Sequence, residues 1–372
     1  PPAALLGDWM GAAAVIAPSL DSAPVAPAEV FAADSGVTFG YRSYPDVPPA
    51  SRRLLPEAVA GRAGGLLVLG HDGRWTARGA VPAVGEGDDG ERRDDEIPHD
   101  GVDDEVSSLD WAAPDREAHR AAVLECLEAI RAGEIYQACV STRLDGHLRG
   151  DPLALFRTLW RRTRARRAAF LQGPWGAVVS MSPETYLSRR GRQVSSSPIK
   201  GTLPRSAEPS LLLSSTKDVA ENIMIVDLVR HDLGQTAEVG SVTVPELLTV
   251  HEAPGVWHLV STVAARTDAD HAELVETTFP PASVTGTPKL RARQLLSGWE
   301  NRARGLHCGA IGISGPGQLD LSVAIRTLEI APDGRCEFGV GGGITIDSDP
   351  DAEWDECLHK AAFTWGGGPP PW

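Results

Sequence analysis

Short turns rich in glycine and proline separate the apolar stretches near the end of this 372-residue chain. Gly315-Pro316-Gly317 and Pro332-Asp333-Gly334 divide three strand-like stretches, His307–Ser314, Leu319–Ile330 and Cys336–Ile346. Turns this short join antiparallel neighbours, because a parallel crossover needs a dozen or more residues. The C-terminal part therefore predicts an antiparallel meander rather than a parallel βαβ array.

The rest of the chain shows the same strand pattern together with helical periodicity. Strands are predicted over Val37–Tyr41, Leu66–Leu69, Trp75–Ala77, Trp175–Met181, Thr185–Ser188 and Gln193–Ser196, two pairs of which form hairpins. Helices are predicted over Asp115–Ala132, Leu153–Ala169 and Lys217–Val229, and after Asp349-Pro350. The expected fold class is α+β, with antiparallel sheet covered by helices.

Most of the formal net charge of −15 lies in one segment, Glu86–Asp110, which holds twelve acidic and two basic residues. Its charge, glycines and prolines are more typical of a solvated linker than of an acidic docking tail. We expect it to divide an N-terminal section, 1–85, from a catalytic region, 111–372. The arginines of Leu153–Ala169 favour a solvated helix face, and the acidic balance argues against nucleic acid as a partner.

Cysteine content and the early sequence indicate the compartment. Five cysteines without CxxC spacing are typical of reduced thiols rather than of disulfides or a zinc site. The most apolar early stretch, Met10–Pro18, is too short to span a bilayer. We therefore expect a cytoplasmic protein.

Carboxylates recur at helical spacing in two places. Asp218 and Glu221 share one helix face, and Glu353, Glu356 and Lys360 share another. Carboxylates suit a hard cation such as Mg²⁺, although such spacing is more often found on solvated helix faces.

Glu184 and Lys200 are nearly symmetric about the hairpin turn at Arg190-Gly191-Arg192, so we expect them to come close across the sheet. The pair could be a general acid beside an amine nucleophile, although a structural salt bridge is the commoner arrangement. Ser283–Lys289 before a helix and Gly341–Gly343 on the last strand could offer main-chain groups to a ligand, or could simply be turns.

Taken together and in order, these motifs resemble the chorismate-utilising enzyme family over about residues 115–364. The matching segments are Gly133-Glu134-Ile135-Tyr136-Gln137, Pro198-Ile199-Lys200-Gly201-Thr202, Ala220–Leu228, Ser283–Lys289, Ala324-Ile325-Arg326-Thr327 and Gly341–Lys360. The resemblance implies two antiparallel β-sheets packed face to face with helices outside.

Two positions separate the reactions within that family. Members that add water carry lysine where this chain has Gln137, and anthranilate synthases usually carry alanine where it has Lys200. The resemblance therefore implies amination of chorismate at C4 to 4-amino-4-deoxychorismate, on the way to 4-aminobenzoate and folate. The alternatives are an anthranilate synthase, a 2-amino-2-deoxyisochorismate synthase, or a scaffold that binds chorismate without turnover.

The resemblance also implies roles for individual residues. Glu184 would protonate the departing C4 hydroxyl, Lys200 would attack C2 to form a covalent adduct, and His258 would lie near the leaving group. Mg²⁺ would be held by Glu221 and Glu356, with Asp218 and Glu353 in support. The implied substrate-binding residues are Arg326, Lys360, Gly342, Gly343, Thr285 and Gln137.

The chain departs from the family pattern at Pro280-Pro281-Ala282, His231, Gln235 and His307, the last standing where an aromatic residue is usual. No Leu-Leu-Glu-Ser motif for tryptophan sensing is present, so we do not expect tryptophan feedback. No cysteine lies in a glutaminase setting. We therefore expect the ammonia that reacts with chorismate to come from a separate glutamine amidotransferase subunit.

Overall fold

The computed structural model describes residues 1–32, 36–46, 53–81 and 108–372. Its strands are β1 (Ala3–Trp9), β2 (Ala12–Ala17), β3 (Leu20–Pro24), β4 (Val37–Arg42), β5 (Ala58–Ala63), β6 (Gly65–Leu69), β7 (Trp75–Gly79), β8 (Ser108–Trp111), β9 (Gln137–Arg149), β10 (Arg167–Gly173), β11 (Gly176–Ser182), β12 (Thr185–Arg190), β13 (Gln193–Ser197), β14 (Ile199–Pro204), β15 (Thr243–Ala253), β16 (Val256–Arg266), β17 (Gly286–Thr287), β18 (Ala310–Gly315), β19 (Gln318–Val323), β20 (Thr327–Ile330) and β21 (Arg335–Ile344). Its α-helices are α1 (Arg116–Arg131), α2 (Pro152–Thr163), α3 (Ser210–Ser214), α4 (Thr216–Gly234), α5 (His271–Thr278), α6 (Lys289–Trp299) and α7 (Pro350–Ala361).

The strands form two sheets. The first has the order β17-β9-β21-β20-β11-β10-β1-β2-β6-β7, with β8 added beside β9. The second has the order β14-β16-β13-β12-β19-β18-β4-β5-β3, with β15 added beside β16. Every pairing between described strands is antiparallel, from β1 with β10 to β8 with β9.

The two sheets pack face to face, because one apolar cluster draws residues from both. Trp9 and Val178 of the first sheet lie there with Phe39 and Ile311 of the second. Helices α4 and α5 cover the outer face of the second sheet, and α2 and α7 cover that of the first. Helices α1 and α6 pack on β9. The predicted α+β class, with face-to-face antiparallel sheets and helices outside, is confirmed.

Local sequence accounts for several element ends. The Asp115 side chain accepts a hydrogen bond from the N–H of Ala118 and caps α1, and Gly133 follows that helix with φ of +76°. Asp349 caps α7 ahead of Pro350 at the first helical position, as predicted.

Two predicted elements are wrong in extent. The helix predicted over Leu153–Ala169 ends at Thr163, and Arg164 adopts a left-handed conformation with φ of +47°. Arg167 then begins strand β10 instead of lying on a solvated helix face. The strand predicted over Leu319–Ile330 is two strands, because β19 belongs to the second sheet and β20 to the first.

The acidic segment lies mostly outside the described residues. Its last three, Ser108–Asp110, belong to β8, which pairs with β9. The division of the chain into 1–85 and 111–372 stays a prediction, and strands β1–β7 of the N-terminal section are distributed over both sheets. None of the described helices is both long and apolar enough to cross a membrane.

A buried ion pair joins the two sheets. Arg167 on β10 binds the Asp320 carboxylate on β19, and the two side chains are 4% and 6% exposed. The Arg167 guanidinium lies 3.8 Å from the centre of the Trp9 ring, and the N–H of Met10 donates to Asp320 at 2.6 Å. Both charges are therefore compensated inside the sandwich.

We expect Asp320→Asn to lower the free energy of unfolding by about 3–5 kcal/mol, because the buried Arg167 charge then has no counterion. Urea denaturation followed by circular dichroism measures this change. Asp110→Asn is the control, since the Arg149–Asp110 pair is 76% and 59% exposed and should contribute about 1 kcal/mol or less. Equal effects of the two substitutions would contradict this role of the buried pair.

Candidate active site

A cavity of about 710 Å³ lies where the two sheets, α4 and α7 meet. Strands β14 and β16 supply one wall, and β21 supplies another. Two further lining residues, Glu184 and Arg326, lie where the chain passes between the sheets: β11 to β12 at Glu184, and β19 to β20 at Arg326. The N–H of Val323 donates to the carbonyl of Glu184, and that of Met181 to the carbonyl of Arg326, so the two crossings are tied together.

Lys200 of β14 points at α4. Its Nζ lies 2.7 Å from Oε1 of Glu221, and both side chains are about nine-tenths buried. Burial lowers the pKa of Lys200, but Glu221 and other neighbouring anions raise it more, so the ammonium form is favoured here. Glu221 is held in place because the neighbouring Asn222 bonds β16 through the Leu259 carbonyl and the Ser261 hydroxyl.

Glu184 is a buried carboxyl group, and no lysine or arginine among the described residues forms an ion pair with it within 4 Å. Its side chain accepts from the N–H of Ile199 at 3.4 Å. Burial raises its pKa to about 7, and the Ser283 and Lys200 interactions only partly oppose this. Glu184 can therefore hold a proton at neutral pH and release it, as a general acid must.

His258 of β16 faces the same cavity. Its Nδ1 shares a hydrogen bond with the Thr202 hydroxyl at 2.9 Å, and these two residues are opposite each other in the β14–β16 pairing. Burial and the Arg326 charge lower its pKa to about 4, so the ring is neutral near pH 7. Its Nε2 is buried without a protein partner and remains available to a ligand.

Three glycines give the main chain of β21 close access to the carboxylates. A Cβ on Gly343 would lie 2.1 Å from Oε1 of Glu221 and 3.3 Å from Nζ of Lys200. A Cβ on Gly342 would lie 2.8 Å from Oε2 of Glu353. Strand β21 pairs with β9 over ten successive residues, which fixes where these glycines stand. Any larger residue at Gly343 must therefore displace Glu221.

Helix α7 brings alternating charges to this strand. Lys360 Nζ lies 2.7 Å from Glu356 Oε1 and donates to the Gly341 carbonyl. Glu353 accepts from Lys217 of α4 at 3.2 Å and from the Ser348 hydroxyl at 2.6 Å. Its second oxygen is buried without a partner.

Arg326 supplies a cation to the cavity. Its backbone is left-handed, with φ of +50°, which places it at the sheet crossing. Among the described residues no carboxylate forms an ion pair with it within 4 Å, and burial lowers its pKa. A half-buried guanidinium facing a cavity is suited to a ligand carboxylate.

The carboxylates at this cavity could act as one or two of the ligands of a Mg²⁺ ion. Within the described ranges, no group of three or more His, Cys, Asp or Glu side chains is arranged to hold a metal ion. Mg²⁺ nevertheless needs only one or two carboxylates together with water and ligand oxygens. Glu221 and Glu356 both line the cavity, and the unpartnered oxygen of Glu353 lies behind Gly342. The donor chemistry is therefore compatible with Mg²⁺.

The structure brings most of the predicted site residues together. The cavity is lined by Lys200, Glu184, His258, Arg326, Lys360, Gly342, Gly343, Glu221, Glu356 and Asp218. Glu184 and Lys200 are not directly opposite in the hairpin, because its pairing ends at Thr185 with Ser197 and Lys200 belongs to β14.

Three predicted residues lie outside the lining. Thr285 is fully buried, and its hydroxyl donates to the Pro281 carbonyl. Gln137 is buried on β9 opposite Thr287. Glu353 lies behind the glycines of β21.

Several lining residues were missed from the sequence: Cys139, Thr202, Lys217, Ser283, His307 and Cys308. Lys217 directly precedes Asp218, and Ser283 is the first residue of the Ser283–Lys289 segment. Both could have been predicted as site residues from these neighbours in the sequence. For Cys139 on β9 and Cys308 just before β18, no local pattern indicates that they line the same cavity.

Comparison with known proteins identifies the family. A family model described as chorismate binding enzyme matches residues 36–365. Aminodeoxychorismate synthase component 1 of Klebsiella aerogenes is 44% identical over 241 residues, covering 62% of this chain and 53% of that protein. The Escherichia coli (strain K12) protein of the same name is 35% identical over 340 residues, covering 87% of this chain and 74% of that protein. This chain thus matches only about half the length of the Klebsiella relative.

The fold has solved counterparts. Anthranilate synthase component I from Streptococcus pneumoniae TIGR4 superposes with a TM-score of 0.75 at 23% identity, covering 97% of this chain and 90% of that one. An identity of 23% supports a shared fold but does not indicate a shared reaction. The family match spans most of the chain, and the resemblance predicted from the motifs is confirmed: the chain belongs to the chorismate binding enzyme family.

Proposed function

We propose that this protein aminates chorismate at C4 to give 4-amino-4-deoxychorismate, the precursor of 4-aminobenzoate in folate synthesis. The observation that carries this proposal is Lys200, a buried lysine in the cavity that also holds the protonatable Glu184. The name shared by the Klebsiella and Escherichia coli relatives, aminodeoxychorismate synthase component 1, supports the same reaction.

Glu184 is the proposed acid. It donates its proton to the C4 hydroxyl as the C–O bond breaks, so that the leaving group departs as water. Neutral His258 lies in the same cavity with Nε2 free, and it can orient the departing oxygen by a hydrogen bond.

Lys200 is the proposed nucleophile. Its neutral amine forms a bond to C2 while the ring double bonds shift and water leaves C4. Ammonia then bonds to C4, the double bonds shift back, and the C2–N bond to Lys200 breaks. Because the ammonium form of Lys200 is stabilised by Glu221, its proton must be released before attack.

Arg326 and Lys360 are proposed to hold the two carboxylates of the substrate, together with the main chain of Gly342 and Gly343. Glu221 and Glu356, with support from Asp218 and Glu353, would hold Mg²⁺. When bound, that ion would supply positive charge to anchor a substrate carboxylate. These cations would make the cavity attractive to a dianion although the whole chain carries a net charge of −15.

The ammonia is proposed to come from a separate glutamine amidotransferase, since the relatives are named as component 1. The chemistry of this chain can be tested without that partner, because ammonium salts supply the same nucleophile. Each assay below therefore uses an ammonium salt.

We expect Lys200→Ala to abolish both the covalent adduct and the formation of 4-amino-4-deoxychorismate, because no other amine replaces the nucleophile. Mass spectrometry of the protein quenched with chorismate, without ammonia, detects the adduct on the peptide that contains Lys200. Product analysis with ammonium separates 4-amino-4-deoxychorismate from anthranilate and from 2-amino-2-deoxyisochorismate.

Lys200→Arg separates charge from nucleophilicity, because arginine keeps the cation beside Glu221 but is a poor nucleophile. Lys217→Ala is the matched control, a second cavity lysine that should leave the adduct in place. An unchanged rate in Lys200→Ala would refute the assignment of Lys200 as the nucleophile. Formation of anthranilate by the natural chain would refute the proposed reaction.

We expect the rate at saturating Mg²⁺ and chorismate, where Glu221 is drawn away from Lys200 and the neutral amine is favoured, to fall as pH rises through about 7, because Glu184 must be protonated to act as the acid and its pKa is raised to about 7. Glu184→Gln should lower the rate by about 10²–10⁴-fold and remove this pH dependence. Initial rates at constant free ammonia concentration, between about pH 6 and 9, measure both effects. If the rate of the Glu184→Gln variant still falls as pH rises through about 7, a group other than Glu184 is responsible for this pH dependence.

We expect Gly343→Ala to weaken Mg²⁺ binding about tenfold or more, because the new Cβ occupies the position of the Glu221 carboxylate. Isothermal titration calorimetry with MgCl₂ measures the affinity, independently of turnover. Gly298→Ala is the control, since a Cβ there meets no atom within 4 Å. Equal Mg²⁺ affinity of the two variants would contradict the assignment of Glu221 as a ligand.

A further inference from the structure

A second cavity, of about 250 Å³, lies between helix α1, strand β9 and the segment 300–304 that follows α6. Asn301 and Arg302 on its lining are exposed, so it opens to solvent there. His307 and Gly339 line both this second cavity and the main cavity of about 710 Å³ described above. The two cavities therefore adjoin at His307.

The imidazole of His307 lies directly against the main chain of β21. A Cβ on Gly339 would lie 2.2 Å from Cγ of His307, so a side chain at that position would displace the ring. The His307 Nε2 shares a hydrogen bond with the Ser141 hydroxyl of β9 at 3.1 Å. Its Nδ1 is buried without a protein partner, and the residue is 5% exposed. One ring nitrogen between the two cavities is therefore free to bind a ligand.

A second imidazole lines the same cavity. His119 of α1 is 3% exposed, its Nε2 lies 3.7 Å from the Cys357 sulfur, and its Nδ1 has no protein partner. Burial lowers the pKa of His119 to about 4 and that of His307 to about 3. Both rings are neutral near pH 7, so each free Nδ1 donates or accepts one hydrogen bond according to its tautomer. Two such nitrogens indicate a polar occupant.

The charged side chains around the second cavity are already engaged. Glu300 binds the Arg304 guanidinium at 2.7 Å, Asp145 is paired with Arg302, and Asp115 caps α1. No carboxylate among the described lining residues is left to balance a cation that loses its hydration there. The lining guanidinium groups are paired with carboxylates too, so an anion gains little. The cavity therefore suits an uncharged polar molecule.

Ammonia has the chemistry that this cavity requires. It is uncharged, accepts one hydrogen bond through its lone pair and donates others, so it can bind a neutral imidazole of either tautomer. A water molecule takes up about 30 Å³ in the liquid, so the cavity has room for several molecules of this size. The reaction proposed above consumes ammonia in the adjoining main cavity.

We propose that the second cavity is the entrance through which uncharged ammonia reaches the main cavity, and that His119 and His307 bind it on the way. The inference rests on the proposed amination, because that reaction requires ammonia in the main cavity. Ammonia enters beside Asn301 and Arg302, hydrogen-bonds to the two imidazoles and passes the His307 ring. Chorismate in the main cavity would then leave the path of the second substrate open.

The first test detects ammonia in the second cavity without any reaction. Protein labelled with ¹⁵N-histidine, without chorismate, is titrated with ammonium chloride, and sodium chloride at equal concentration is the reference. The titration is run at about pH 9, where much of the ammonium is deprotonated, and at about pH 6, where almost none is. We expect the Nδ1 resonances of His119 and His307 to move at the higher pH only. The exposed His71 should not respond at either pH.

The second test closes the proposed entrance. Ala118 of α1 lines the second cavity but not the main one, so Ala118→Phe places a ring in the second cavity alone. We expect KM for ammonia to rise about tenfold or more while KM for chorismate changes by less than about twofold. Ala121→Phe is the matched control, since Ala121 is exposed on the same helix and lines neither cavity. It should leave both KM values unchanged.

The entrance is refuted if neither His119 nor His307 responds to ammonia at the higher pH. It is also refuted if Ala118→Phe leaves KM for ammonia unchanged or raises both KM values equally. Because the resonances are measured in the natural chain, a poorly folded variant does not decide the outcome. Absence of amination would refute the proposed reaction, whereas amination with unmoved histidine resonances would refute the entrance alone.

Discussion

Pairing of buried charge is the constraint on which this cavity depends. Lysine–carboxylate contacts connect its walls: Lys200 with Glu221 joins β14 to α4, and Lys217 with Glu353 joins α4 to α7. Leaving the buried charge of Lys200, Glu221 or Glu353 unpaired would cost several kcal/mol. Strand β14 and helices α4 and α7 therefore cannot move apart unless these charges gain other partners. Any ligand that draws Glu221 away from Lys200 leaves a buried ammonium group, whose neutral form is then favoured. In the proposed reaction, ligand binding and activation of Lys200 as the nucleophile are thereby coupled.

Much of the fold could be predicted because turns carry local signals. Gly191, Gly317 and Gly334 all adopt positive φ, which glycine permits, and the strands on either side of each are paired. The end of α2 could not be predicted, since its arginines continue a helical pattern. Arg167 leaves that pattern only because its guanidinium finds Asp320 and Trp9, which are distant in sequence.

Site residues could be predicted from the sequence where the residue type and its spacing indicate a chemical role. Carboxylates at helical spacing and a run of three glycines indicated ligand chemistry, and Glu221, Glu356, Gly342 and Gly343 do line the cavity. Residues at the sheet crossings gave no local signal. The neighbours of Arg326 read as one continuous strand, although the chain changes sheet there. The presence of Cys139 and Cys308 in one cavity likewise depends on how the two sheets face each other, which spacing along the chain does not encode.

The ten-residue ladder between β21 and β9 has a consequence for how such a site can change through evolution. Three successive glycines leave this stretch of β21 without side chains, so the main-chain hydrogen bonds to β9 and the buried side chains on either side of it, Val340 and Ile344, locate it. A slip of one residue would place Ile344 or Gly342 where Gly343 now stands, and a branched side chain there would meet Glu221. An insertion or deletion in either strand of the ladder would therefore bring a side chain to the place of Gly343, against Glu221 and Lys200.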